Sequence, residues 1–211
     1  EQARAAKSLI NVTRENKFSV SLIDGVTGSG KTEVYFEVIA EVLRKGLQIL
    51  ILVPEIALAR PFVERFSKRF GAAPVEWHSE LPTKKRRRIW RAILKGNVNV
   101  LVGARSALFL PFPNLGLLVV DEEHESAFKQ MEGSRYHARD MSILRAKCTD
   151  IPIILASATP SLETLHNAET GRFRKVLLSQ RYGQATLPKV ELIDIRSSEN
   201  RNGSWTVSYT H

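Results

Sequence analysis

The run Gly25-Val26-Thr27-Gly28-Ser29-Gly30-Lys31-Thr32 constrains the fold more than any other stretch of the chain. It fits G-x-x-x-x-G-K-[ST], a pattern that works only where a strand runs into a loop and the loop opens a helix. The flanks supply both. Phe18 to Asp24 (FSVSLID) is apolar with β-branched residues and reads as a buried strand. Glu33 to Lys45 has apolar residues at Val34, Tyr35, Val38, Ile39, Val42 and Leu43, which is helical spacing. The glycines let the backbone turn tightly and bring its N–H groups up to an anion. The helix N-terminus adds partial positive charge. Lys31 can then reach the β- and γ-phosphates of a nucleotide, and the Thr32 hydroxyl can ligate Mg²⁺. Lys31 reads as a ligand group, not a core residue.

The rest of the chain alternates strands and helices. Leu47 to Val53, Val98 to Val102, Leu115 to Val120 and Ile151 to Ala156 are short apolar runs that read as interior strands. Val75 to His78, Val176 to Ser179 and Val190 to Ile195 read as shorter strands, the last two at an edge. Helical periodicity covers Gln2 to Ile10, Glu55 to Phe70, Thr83 to Lys95, Tyr136 to Cys148 and Ser161 to Ala168. The expected fold is α/β, a mostly parallel central sheet with helices on both faces. One domain is expected over residues 1–196. Residues 197–211 are polar without a period and read as a tail or linker.

At 211 residues and 43% hydrophobic the chain can bury a full core. Its net charge of +9 favours polyanionic partners. A single cysteine, Cys148, leaves no internal disulfide and no cysteine-based zinc cluster within this chain, which is consistent with the cytosol. No apolar run approaches the ~18 residues of a membrane span, so no membrane partner is expected. The chain opens on Glu1 without Met and reads as a piece of something longer.

Asp121-Glu122 closes an apolar strand, the expected counterpart of a phosphate loop. Asp121 would hold Mg²⁺ and Glu122 would orient or deprotonate an attacking water. His124 reads as coupling these carboxylates to the next loop, with helix capping the alternative. Ser157 and Thr159 end another strand, where their hydroxyls can bond the Asp121–His124 loop or simply close a turn before Pro160. Arg105, Ser106, Phe128, Lys129, Arg135 and Tyr136 offer groups suited to backbone phosphates and base stacking. Lys84-Lys85-Arg86-Arg87-Arg88 is either a solvated face or a phosphate contact. Gln2 is either an adenine-edge reader or a solvated terminal residue.

With these motifs laid out, the chain resembles the superfamily-2 helicases, and within them the primosomal protein N′ (PriA) family. GVTGSGKTEVY (25–35), LVPEIAL (52–58), GARSALFLPF (103–112), DEEHESAFKQ (121–130) with RYHARD (135–140), and ASATPS (156–161) carry the resemblance. EQARAA (1–6) resembles the start of its Q-motif region and makes Gln2 an adenine contact. The resemblance implies a RecA-like first motor lobe that uses ATP and Mg²⁺. It implies a bacterial, cytoplasmic parent that translocates 3′→5′ on single-stranded or forked DNA and restarts replication with primosome proteins and single-strand-binding protein. Arg105 would touch the DNA backbone. Phe128, Lys129, Arg135 and Tyr136 would couple DNA contact to hydrolysis.

The family's N-terminal DNA-binding region, zinc module and second lobe are not matched by this sequence. The second lobe carries the arginine that stabilises charge on the transferring phosphate, a contribution of roughly 10³–10⁵ in rate. The chain is therefore expected to bind nucleotide and turn it over poorly. The alternatives are a lobe of another superfamily-2 translocase and a non-catalytic nucleotide- or DNA-binding piece.

Overall fold

Side chains alternate across a strand with period two, and in Gln48–Leu52 every one of them is buried. Such a strand needs cover on both faces. A computed structural model describes residues 1–54 and 59–182. In chain order the elements are α1 (Gln2–Arg14), β1 (Ser19–Gly25), α2 (Lys31–Arg44), β2 (Gln48–Leu52), α3 (Ala59–Phe70), β3 (Val75–Trp77), α4 (Thr83–Leu94), β4 (Val100–Gly103), β5 (Leu115–Asp121), β6 (Lys129–Gln130), β7 (Tyr136–His137), α5 (Ala138–Cys148), β8 (Pro152–Ser157), α6 (Leu162–Glu169) and β9 (Arg174–Leu178). Seven strands make one parallel sheet in the order β3-β4-β2-β5-β8-β1-β9. The other two, β6 and β7, form an antiparallel hairpin.

The period-two rule sorts the core into two layers. Ile49 and Ile51 of β2 join Leu117 and Val119 of β5 under α1, α2 and α3. Leu50 and Leu52 join Leu118 and Val120 on the opposite face, against Ile89 and Ile93 of α4 and Ala138 and Ala146 of α5. On α3, Phe62, Phe66 and Phe70 recur at helical spacing and make one stripe against Phe36 of α2, with ring centroids 5.6, 5.5 and 5.6 Å away. Outside that stripe Arg65 and Arg69 pair with Glu33 and Glu37 of α2 at 2.8 and 2.7 Å. These surface pairs fix orientation more than stability.

This topology sets the site. The chain leaves β1 and returns to the sheet at β2, skipping the positions that β5 and β8 later fill. In open parallel sheets ligands bind at the carboxyl ends of strands beside such a switch point. The phosphate-loop pattern, Asp121 and Ser157 stand at the carboxyl ends of β1, β5 and β8, which are neighbours in the order β5-β8-β1.

The α/β reading holds, and all seven strands of the main sheet are parallel. Several bounds differ from expectation, these among them. The helix predicted from Tyr136 starts at Ala138, because Tyr136 and His137 pair with Gln130 and Lys129 instead. The helix predicted over Gln2 to Ile10 runs on to Arg14, where Arg14 meets Glu41 of α2 at 2.8 Å. The strand predicted from Val98 begins at Val100. The predicted strand Val190 to Ile195, the predicted tail and most of the LVPEIAL motif lie outside the described residues. Among the described residues no helix is long and apolar enough to cross a membrane.

Candidate active site

The loop between β1 and α2 is built on two left-handed glycines, Gly28 at φ 79° and Gly30 at φ 83°. A side chain at position 30 would be strained by the left-handed backbone, and its Cβ would displace the end of Gln2, whose Nε2 would lie 2.1 Å away. That contact is the work of Gln2 in this structure: its Nε2 donates to the Ser29 carbonyl at 2.8 Å, tying α1 to the loop. Lys31 opens α2 and donates from Nζ to the Gly25 carbonyl at 2.9 Å. Lys31 is buried, 8% exposed, but lies at the cleft and outside both apolar core layers. The ammonium folds back over the loop and is solvated by it. Ser29 Oγ is buried without a hydrogen-bond partner among the described residues.

Asp121 ends β5, two strand positions from β1, a separation of about 10 Å at the usual inter-strand spacing. Lys31 and Asp121 nonetheless face one cleft of 620 Å³, which Gln2, Thr32, Arg65 and Glu122 help to line. The bridge between the two elements is Tyr35 on α2, whose buried hydroxyl donates to Asp121 Oδ2 at 2.9 Å. Burial pushes the Asp121 carboxyl up to about 6, with the Glu122 charge adding to the shift, while the Tyr35 hydrogen bond and the Lys31 charge oppose it. Burial likewise holds the Tyr35 hydroxyl well above its ordinary range.

The direction of the Asp121 shift gives a pH prediction. Asp121 takes up a proton as pH falls through about 6, well above its ordinary 3.8. The protonated acid is a poor Mg²⁺ donor. Magnesium-dependent nucleotide affinity, read by fluorescence of a labelled nucleotide, should be full near neutral pH and fall through that window. A flat profile would contradict the placement of Asp121 as the metal ligand.

Glu122 follows in the left-handed region at φ 48°, rare for a residue with a Cβ and concentrated at functional sites. Its backbone N–H turns back to Asp121 Oδ1 at 3.2 Å. His124 Nδ1 lies 2.7 Å from Ser157 Oγ, so the carboxylate loop is tied to the end of β8. The Thr159 backbone N–H donates to the same Ser157 Oγ at 3.0 Å, closing the turn, and the Thr159 side chain is exposed.

The remaining predicted residues gather around the β6–β7 hairpin. Arg105 Nη1 donates to the carbonyls of Ala127 and Lys129, both at 3.1 Å, so it clasps the hairpin's approach. Ser106, Lys129 and Arg135 are exposed beside it, and Tyr136 is half-buried, edge-on to Phe109 at 5.3 Å. Phe128 is a correction. It is 0% exposed, within the core layer that α4 and α5 cover, so no base can stack on it.

The sequence profile of the DEAD/DEAH box helicases matches residues 1–168. The chain belongs to the DEAD/DEAH box helicase family. Within that family it is similar to the replication restart protein PriA of Rickettsia conorii, 44% identical over 205 residues, covering 97% of this chain and 31% of that protein. PriA of Bacillus subtilis is also 44% identical, over 204 residues, covering 97% of this chain and 25% of that protein. The chain thus spans about a quarter to a third of the length of these relatives. The structure of RecG bound to a three-way DNA junction shares the fold with a TM-score of 0.60 at 22% identity, over 83% of this chain and 23% of that one.

For a helicase lobe the residues present fit a magnesium nucleotide. Two left-handed glycines open the loop, a lysine crosses it, Ser29 offers a hydroxyl with no partner among the described residues, and Thr32 and Asp121 offer the hard oxygens that Mg²⁺ prefers. Sequence reasoning missed three contributors. Tyr35 looked like one more helix-core position, and Arg65 was not singled out within its helix. Glu123 sat unremarked inside an acidic run. It is fully buried, accepting from Arg139 Nη1 at 3.1 Å, the Ser161 backbone at 2.8 Å and Thr164 Oγ1 at 3.0 Å. The RYHARD and ASATPS segments hold Arg139 and Ser161, and that adjacency was the available signal.

Proposed function

We propose that residues 1–196 are the nucleotide-binding motor lobe of an ATP-driven, 3′→5′ DNA translocase of the replication-restart type. One observation carries the nucleotide reading: the phosphate-loop lysine and the strand-end aspartate face a single cleft, with Tyr35 bridging their elements. Lys31 would exchange the Gly25 carbonyl for phosphate oxygens. Thr32 and Asp121 would hold Mg²⁺, which when bound neutralises phosphate charge. Glu122 would orient and accept a proton from the attacking water, turned toward the cleft by its left-handed backbone. His124 and Ser157 would pass changes at the carboxylates to the end of β8. Arg105 would touch the DNA backbone beside the β6–β7 hairpin it clasps, where Lys129, Arg135 and Tyr136 would couple DNA contact to hydrolysis. Primosome proteins and single-strand-binding protein belong to the parent activity in this reading, as does a cytoplasmic bacterial setting.

The same reading gives low turnover for this chain. Two described residues bring positive charge to the cleft, Lys31 and Arg65, and Arg65 is paired with Glu33. An additional arginine on the transferring phosphate is worth roughly 10³–10⁵ in rate. Phosphate release by the 211-residue chain, with and without single-stranded DNA, should therefore stay near background although labelled ATP binds. Strong DNA-stimulated release would overturn the low-turnover reading. Absence of nucleotide binding would overturn the motor reading itself.

A further inference from the structure

Helix α4 carries six cations, Lys84, Lys85, Arg86, Arg87, Arg88 and Arg91, and no acidic residue. It is anchored by Ile89 and Ile93, which leaves the basic faces outward. A solvated helix face normally mixes signs, because like charges three or four residues apart repel by about 0.2–0.5 kcal/mol per pair. Here Lys84 faces Arg87 and Arg88 at that spacing, and Arg87 faces Arg91. Among the described residues none of the six is ion-paired with a carboxylate. The repulsion is uncompensated within this part of the chain, and a bound polyanion would relieve it.

The helix also borders a groove of 500 Å³ lined by Trp77, Thr83, Arg86, Arg87, Trp90 and Arg91. The Arg86 guanidinium lies over the Trp77 ring at 5.1 Å, which fixes one wall. Trp90 is 43% exposed between the arginines, an unusual placement for so large an apolar ring. Trp77 pairs with Gly103 across β3 and β4, and the Ala104 N–H donates to the Trp77 carbonyl at 3.2 Å. The groove therefore abuts the turn that leads into Arg105 and Ser106.

We propose that this groove is a second contact for single-stranded DNA. Arg87 and Arg91, one helical turn apart, take neighbouring phosphates, and Trp90 stacks on an unpaired base. A duplex keeps its bases stacked inside and would leave Trp90 unused, whereas a single strand offers a base beside every phosphate. The inference rests on the DNA-motor reading in one respect: the strand that passes Arg105 and Ser106 continues into the groove.

The test is fluorescence anisotropy of the 211-residue chain with a dye-labelled oligothymidylate and with an abasic strand of equal length, across a salt series. Arg87→Ala with Arg91→Ala should weaken oligothymidylate binding about 10-fold or more and flatten the log–log salt slope by about 1.4, two phosphates' worth. Trp90→Ala should weaken oligothymidylate binding roughly 5- to 100-fold and leave abasic binding unchanged, with Trp90→Phe restoring most of it. Labelled-ATP affinity should be unaltered in all of them, which reports an intact fold. If both sets bind oligothymidylate like the parent while Arg105→Ala does not, the groove proposal fails and the motor reading stands. If the parent chain binds neither strand, both fail. Equal weakening of both strands by Trp90→Ala would overturn the stacking role.

Discussion

Lys31→Ala should weaken ATP binding by about two to four orders of magnitude, and the chain should still fold. The ammonium has two partners to choose between. Without nucleotide it donates to the Gly25 carbonyl at 2.9 Å. With nucleotide it meets two phosphates, and hydrogen bonds to charged groups contribute about 1.5–3 kcal/mol each. Losing two such contacts corresponds to about 10²–10⁴ in affinity. The effect on stability is small by comparison. Removing a buried cation also removes its desolvation penalty, and the carbonyl it leaves behind sits at a loop open to the cleft. Thermal unfolding should shift by only a few degrees, at about 2–4 °C per kcal/mol for a domain of this size. Titration with a fluorescent ATP analogue and a melt on the same sample separate the two outcomes. Unchanged affinity would remove the loop from the nucleotide site, and a collapse of the melt would show that Lys31 is needed chiefly for folding.

Most of the scaffold was legible because it follows from periodicity. Val119 and Val120 point to opposite core layers, yet both are apolar, so the short β-branched run LGLLVVD reads as a strand covered on both sides. The phosphate loop was legible because its glycines and the Lys31 ammonium act within one short segment. What was not legible depends on partners far apart in the chain. Phe128 reads as an exposed aromatic because its neighbours Ser126, Lys129 and Gln130 are polar, but a 3-10 turn over Ser126–Phe128 rolls its ring into the core. Two-residue strands such as Lys129–Gln130 and Tyr136–His137 carry no period to detect. The consecutive residues Asp121, Glu122, Glu123 and His124 look alike on paper. The left-handed turn at Glu122 redirects the chain, and Glu123 goes inward while Asp121 lines the cleft.

Arg139→Ala should destabilise the fold far more than Lys31→Ala, because of what it leaves behind. Glu123 is 0% exposed and Arg139 is 7% exposed at its side chain, so this pair is shielded from the screening that makes surface pairs weak. Ser161 and Thr164 satisfy the remaining carboxylate lone pairs, and Ser161 also caps α6 by accepting from the Thr164 backbone. Deleting one partner of a buried ion pair strands the other, at about 3–5 kcal/mol. At about 2–4 °C per kcal/mol the melt should fall by roughly 6–20 °C. Pairing Arg139→Met with Glu123→Leu should recover a substantial part of that loss, since well-packed apolar pairs often replace buried ion pairs without penalty. Recovery would assign the cost to an unpaired buried charge. An unchanged melt in the single variant would mean that Glu123 finds other partners, and the network would then not hold β5, α5 and α6 together. The network also bears on the site. Glu123 directly follows Glu122, and its N–H donates to the Ala156 carbonyl of β8 at 3.1 Å. Loosening it should therefore lower nucleotide affinity as well, at temperatures where the single variant is still folded.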